Sequence, residues 1–88
     1  MNQKRRQEIR RLLDRLAGIE QIVGEIKEGL EAVRDEEQDY RAAMPDSIAD
    51  GEKGQQADAA IAALDDLIDA LDSMAEADVS AVESECGL

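Results

Sequence analysis

The sequence predicts an all-α fold: a two-helix antiparallel hairpin, coiled-coil-like, that dimerises into a four-helix bundle. Three observations carry this reading. Ile9, Leu12, Leu16, Ile19, Val23, Ile26, Leu30 and Val33 follow one another at alternating spacings of three and four, which is the apolar seam of a long helix. A second, wider stripe holds Ala57, Leu64 and Leu71, then Ala60, Leu67 and Met74, then Ile61, Ile68 and Ala75. Between the two stripes lies the only proline in the chain, with two of its six glycines.

The first helix is expected over about 3–43. Its seam continues past Val33 at Glu37, Tyr40 and Met44, with Glu37 the one interruption, and at about 1.5 Å per residue it spans on the order of 60 Å. Gly18, Gly24 and Gly29 lie off that seam and each weaken the helix by about 1 kcal/mol relative to Ala. A connector follows at 44–54. Pro45 disfavours helical geometry at Met44, and Asp46, Ser47 or Asp50 offers a side chain to cap the next helix. The second helix is expected over about 55–78, and the fading pattern of 79–88 reads as a frayed tail. The whole, 1–88, is one domain.

A turn near Ile48 sets Val33 against Ile61, Ile26 against Ile68, Ile19 against Ala75 and Leu12 against Val82, apolar against apolar throughout. Two helices cover only one side of each other, and a chain of 88 residues buries little surface alone. A homodimer is therefore expected, with Ala60, Leu67 and Met74 as the candidate oligomer face.

Composition narrows the setting. There is no Trp or Phe and one Tyr, so the core is aliphatic and suits closely packed helices. A lone cysteine, Cys86, forms no intrachain disulfide, which fits a reducing compartment. The basic start, MNQKRRQEIRRLLDRL, lacks the apolar run of a signal peptide, and nothing approaches the roughly 18 apolar residues of a membrane span. The expected location is cytoplasmic, with no membrane partner.

Charge is divided unevenly. Residues 1–15 carry six bases and two acids, net +4, and the rest of the chain is net −16; from Gly54 onward there are nine acids and no base. Such a surface repels nucleic acid, so no direct nucleic-acid partner is expected. The basic start reads as the neutraliser of Glu76, Asp78, Glu83 and Glu85 in the folded hairpin or as a contact to phosphate, anionic lipid or an acidic partner. A further reading has Lys4, Arg5, Arg6, Arg10 and Arg11 touch DNA, against the net charge of the chain. Asp58, Asp65, Asp69, Asp72 and Glu76 recur along one side of the second helix and form the candidate acidic partner-binding face. Carboxylates in rows on a rod imitate a nucleic-acid backbone; the plainer reading is a solvated face.

Catalytic machinery is sparse. The chain has no histidine, which excludes Ser-His-Asp and Cys-His arrangements and the commonest general base. The glycines follow no phosphate-cradling spacing. Glu37 is the sole candidate for a buried carboxylate, read as a polar break paired with Arg34 or Arg41 one turn away. Asp46-x-Ile48-x-Asp50-Gly51 resembles the opening of a calcium loop but lacks the third-position ligand and has Ala57 where a bidentate Glu belongs. No catalytic residue, cofactor or metal is expected, and the chain reads as a non-enzyme.

The stretch Val33-Arg34-Asp35-Glu36-Glu37-Gln38-Asp39-Tyr40, followed by Met44-Pro45-Asp46-Ser47 and Gly51-Glu52-Lys53-Gly54, resembles small acidic helical-hairpin proteins of bacteriophages and mobile elements whose function is uncharacterised. The resemblance spans about residues 4–75, its specific part being the turn, and it implies a helical hairpin of mobile-element origin with no activity or site to carry over. By analogy with small acidic inhibitors of such elements, it implies a non-enzymatic interaction module that mimics nucleic acid and binds a basic, nucleic-acid-binding host protein. The alternative is a structural or scaffold homo-oligomer that associates through apolar helix faces.

Overall fold

Asn2 opens the first helix by accepting the backbone N–H of Arg5 on its side-chain Oδ1 at 2.9 Å, in a computed structural model that describes all residues 1–88. From there α1 runs without a break through Gln3–Ala42, a length of 40 residues. Three glycines within it leave it continuous, because neighbouring turns supply good helix formers on both sides. Arg41 in its last turn is the basic residue placed where the negative end of the helix dipole favours one.

Pro45 ends that run for two reasons at once. It carries no N–H to continue the ladder, and it sits extended at φ −61°, ψ 151°, where its carbonyl accepts the N–H groups of Ile48 and Ala49 at 2.9 and 2.8 Å. The result is a four-residue helix, α2, over Asp46–Ala49, in the connector where the sequence suggested only turns. The main second helix, α3, is Glu52–Ala75, three residues earlier at each end than expected. The expected side-chain caps from Asp46, Ser47 or Asp50 do not form. The cap positions are taken instead by Pro45 before α2 and Gly51 before α3, neither of which carries a side-chain acceptor; the Pro45 carbonyl accepts from Ile48 and Ala49, and the Gly51 carbonyl from Gln55 at 3.1 Å.

Gly54 is where α3 leaves the connector, and it is buried against α2. A Cβ placed there would lie 1.9 Å from the carbonyl oxygen of Ala49 and 2.6 Å from its carbon. Only glycine allows the two backbones this approach. The reversal then lays α3 antiparallel along α1, giving a rod 69 × 17 × 14 Å, with no strand.

The tail differs from the frayed segment expected. Residues Ser80–Glu85 form α4, opened by Asp78, whose carboxylate accepts both the backbone N–H and the hydroxyl of Ser80. It closes with Gly87 in the left-handed region at φ 68°, where the N–H of Leu88 reaches the carbonyl of Glu83 at 2.9 Å and that of Gly87 reaches Ser84 at 3.4 Å. Arg6 ties this end down by donating from Nε to the Cys86 carbonyl at 3.1 Å.

The core of a single chain is thin. Val23, Ala57 and Ile68 are its only buried hydrophobic residues, joined by half-buried Ile9, Leu13, Leu16, Leu30, Ile61, Leu64 and Leu71. Two substitutions test this architecture in urea unfolding. Gly54→Ala is expected to destabilise by about 1–3 kcal/mol, because the added carbon meets backbone. Gly18→Ala, with open space around its Cβ, is expected to stabilise by up to about 1 kcal/mol.

Candidate interaction surfaces

The two faces of α1 have opposite chemistry. Positions 9, 16, 23, 30, 37 and 44 lie toward α3, as the sequence predicts. The companion series does not. Positions 13, 20, 27, 34 and 41 complete the half-buried seam, whereas Leu12, Ile19, Ile26, Val33 and Tyr40 are 48%, 53%, 50%, 51% and 53% exposed. The expected contacts of Val33 with Ile61, Ile26 with Ile68, Ile19 with Ala75 and Leu12 with Val82 are therefore replaced, because α1 is turned so that its cations, rather than its second apolar series, flank α3.

Those cations form a ladder. Lys27 Nζ is paired with Asp72 and, at 3.6 Å, with Glu31. Arg34 Nη1 donates to Asp65 Oδ1 at 3.0 Å while its Nε and Nη2 hold Asp35 at 3.3 and 3.2 Å. Arg41 grips both oxygens of Asp58, at 2.9 Å from Nε and 3.4 Å from Nη2. Each step of seven up α1 matches a step of seven down α3, which is the geometry of an antiparallel pair held in one register. The pairing with Asp72 raises the Lys27 pKa, and the carboxylates of Asp65 and Asp35 raise that of Arg34. Asp78 is lowered by the hydroxyl and backbone N–H of Ser80.

This ladder changes what the candidate acidic face offers. Of Asp58, Asp65, Asp69, Asp72 and Glu76, three are engaged with α1, leaving Asp69 and Glu76 outward and without an ion-pair partner. Asp66, on the neighbouring row, is also exposed and unpaired. Glu37 is half-buried on the seam, but neither Arg34 nor Arg41 pairs with it, since both reach across to α3. At the basic start, the expected pairs with Glu76, Asp78, Glu83 and Glu85 do not form: Arg6 binds a carbonyl, Arg11 pairs with Glu8, and Asp78 accepts from Ser80. An open cleft of about 290 Å³ at this end is lined by Arg10, Leu13, Asp14, Glu83 and Leu88. The connector acids Asp46 and Asp50 lie at the ends of a helical turn, and no group of three or more Asp, Glu or Cys is arranged to hold a metal ion.

The remaining flank is apolar. On α3 the seam residues are Gly54, Ala57, Ile61, Leu64, Ile68 and Leu71. By helical phase Asp58, Asp65 and Asp72 lie to one side of it, and Ala60, Leu67 and Met74 to the other. Since the ladder brings the charged sides of the two helices together, their other sides share the opposite flank. Leu67 and Met74 are 48% and 59% exposed there, beside Leu12, Ile19, Ile26, Val33 and Tyr40 of α1. The sequence pointed to Ala60, Leu67 and Met74 but missed the α1 half, having assigned those residues to the hairpin interior. The signal that separates the two was present: opposite charges at positions 27, 34, 41 and 58, 65, 72 share one heptad spacing.

Two measurements check the ladder. Reversing Asp58, Asp65 and Asp72 to Lys is expected to lower the melting temperature by circular dichroism, and adding Lys27→Glu, Arg34→Glu and Arg41→Glu to recover most of it. The sign of the pH dependence is also set. Because the Lys27 pKa is raised on folding, its contribution is fully present below the ordinary lysine value of about 10.4 and is lost as pH rises through the folded value. Lys27→Arg, which keeps its charge, should hold its melting temperature to higher pH than the unaltered chain.

No helix is long and apolar enough to cross a membrane. No protein-family model, curated protein or solved structure matches the chain.

Proposed function

We propose that the chain is a non-enzymatic interaction module that works by self-association: a helical hairpin whose apolar flank pairs with that of a second copy to make a four-helix bundle. One observation carries the reading. The chain leaves its longest apolar series, Leu12 to Tyr40, in solvent on the same flank as Leu67 and Met74, while burying only three hydrophobic residues.

Magnitudes favour an outside partner. Burying a Leu, Ile or Val side chain stabilises by about 1.5–3 kcal/mol, more than a surface ion pair contributes. A lone hairpin gains by turning Ile19, Ile26 and Val33 inward and letting its cations out. The observed rotation is the favourable one when a further helix layer covers the apolar flank, since both faces of α1 then have partners.

Light scattering is expected to give the mass of two chains at both low and high salt, because apolar contacts are not screened. Ile26→Asp combined with Leu67→Asp should reduce that to one chain, while Asp66→Lys with Asp69→Lys leaves it unchanged. A single-chain mass for the unaltered protein at either salt concentration overturns the proposal.

A second reading, an acidic inhibitor of mobile-element origin that imitates nucleic acid against a basic host protein, is supported by the unpaired Asp66, Asp69 and Glu76 on the outer side of α3. Its test must leave the ladder intact. Capture of a nucleic-acid-binding protein from bacterial lysate should disappear at high salt and on reversal of Asp66, Asp69 and Glu76; capture that survives both rules it out.

A further inference from the structure

We propose, resting on the self-association above, that the second copy packs by a two-fold axis perpendicular to the rod and passing near Ile26, so that α1 lies antiparallel on the α1 of its partner and the α3–α4 half of the hairpin on that of its partner, α3 running onto the partner's α4. The occupant of the apolar flank is then another copy of this chain in one defined orientation.

The apolar series of α1 is its own complement under that operation. Reversed about Ile26, the stripe sets Leu12 opposite Tyr40, Ile19 opposite Val33, and Ile26 opposite itself, all of them about half exposed in the single chain. The adjoining row, Glu8, Arg15, Ile22, Gly29, Glu36 and Ala43, matches as well. It brings Arg15 to Glu36, the opposite charges bordering the stripe, and sets Ile22, 55% exposed, over Gly29, around whose Cβ position there is open space. Side-by-side parallel packing of α1 would instead oppose Arg15 to Arg15 and Glu36 to Glu36.

A rival two-fold, along the rod, also makes every neighbouring helix antiparallel, by stacking α1 on the partner's α3. Net charge separates the two. Residues 35–50 at the turn end hold six acids and one base, whereas at the other end the +4 of residues 1–15 is balanced by the four acids of residues 76–88, leaving that end neutral with its cations on α1. The lengthwise axis lays the two acidic turn ends side by side. The perpendicular axis holds them apart by most of the 69 Å rod, far beyond the roughly 8 Å Debye length, and sets each against the partner's basic start. That also gives Lys4, Arg5, Arg10 and Arg15 a use that the single chain does not show, since none forms an ion pair within it.

The area is sufficient. From Leu12 to Tyr40 the stripe runs about 42 Å at about 1.5 Å per residue, and across the 17 Å breadth of the rod this is on the order of 700 Å², close to the roughly 800 Å² per partner of a stable interface.

The experiment is cysteine cross-linking with a short bis-maleimide in a Cys86→Ser background, with helicity and light-scattering mass measured on every variant. Ile26→Cys alone is expected to give a covalent dimer. Ile19→Cys and Val33→Cys, each alone, should not, while their mixture should. With a two-chain mass retained, three results overturn the perpendicular axis while leaving self-association standing: cross-linking of Ile19→Cys alone, cross-linking of Ile26→Cys only when mixed with Ala70→Cys, or no cross-linking at all. A single-chain mass for the unaltered protein overturns both. Should Ile26→Cys lose helicity, Gly29→Cys mixed with Ile22→Cys asks the same question of the adjoining row, cross-linking only in the mixture if the axis is right.

Discussion

The ladder of Lys27 with Asp72, Arg34 with Asp65 and Arg41 with Asp58 governs how α1 is rotated against α3, and the chemistry of every surface follows from that rotation. Its importance is directional more than energetic. Exposed ion pairs stabilise weakly, yet three of them at heptad spacing agree on one register and one rotation, and any other arrangement separates all three together. Once the charged sides meet, the apolar sides are placed on the far flank by helical geometry alone.

A rod built this way has three zones. One flank is closed by ion pairs, the seam holds a narrow aliphatic core around Val23, Ala57 and Ile68, and the opposite flank is open and apolar. The narrow core explains why the two ends need separate fastening. At one end Gly54 lets α3 pass against the backbone of Ala49; at the other Arg6 holds the Cys86 carbonyl and Gly87 closes α4. Neither fastening depends on hydrophobic burial, which a two-helix layer supplies only sparingly.

The same geometry redistributes the acidic charge. A row of aspartates on α3 is largely an internal device, because three of the candidate residues face cations of the same chain. What remains for a basic partner is the outer side of α3, with Asp66, Asp69 and Glu76. The proposed self-association and the proposed acidic recognition thus call on different faces, and the variants that probe one leave the other untouched.

Much of the fold was legible from residue pattern. Period and length place two long helices, the sole proline places the reversal, and positions 9, 16, 23, 30, 37 and 44 face the partner helix as their spacing requires. Local rules suffice for these, since helix propensity, a missing N–H and seven-residue spacing act within a few residues of chain. The choice between Leu12, Ile19, Ile26 and Val33 on one side of that series and Leu13, Glu20, Lys27 and Arg34 on the other was not legible from hydrophobicity, which favours the first. Both choices satisfy the helical period, and they differ by about 50° of rotation about the same axis. The short α2 and α4 went unread for another reason: their bonds are local, from Ile48 and Ala49 to Pro45 and from Ser80 to Asp78, but segments of four and six residues show no apolar period. The sequence by itself determined the helices and their turn, because those arise from neighbours along the chain; which side of α1 faces inward, and therefore which surface is left to meet a partner, was decided only by side chains from distant positions meeting in the tertiary structure.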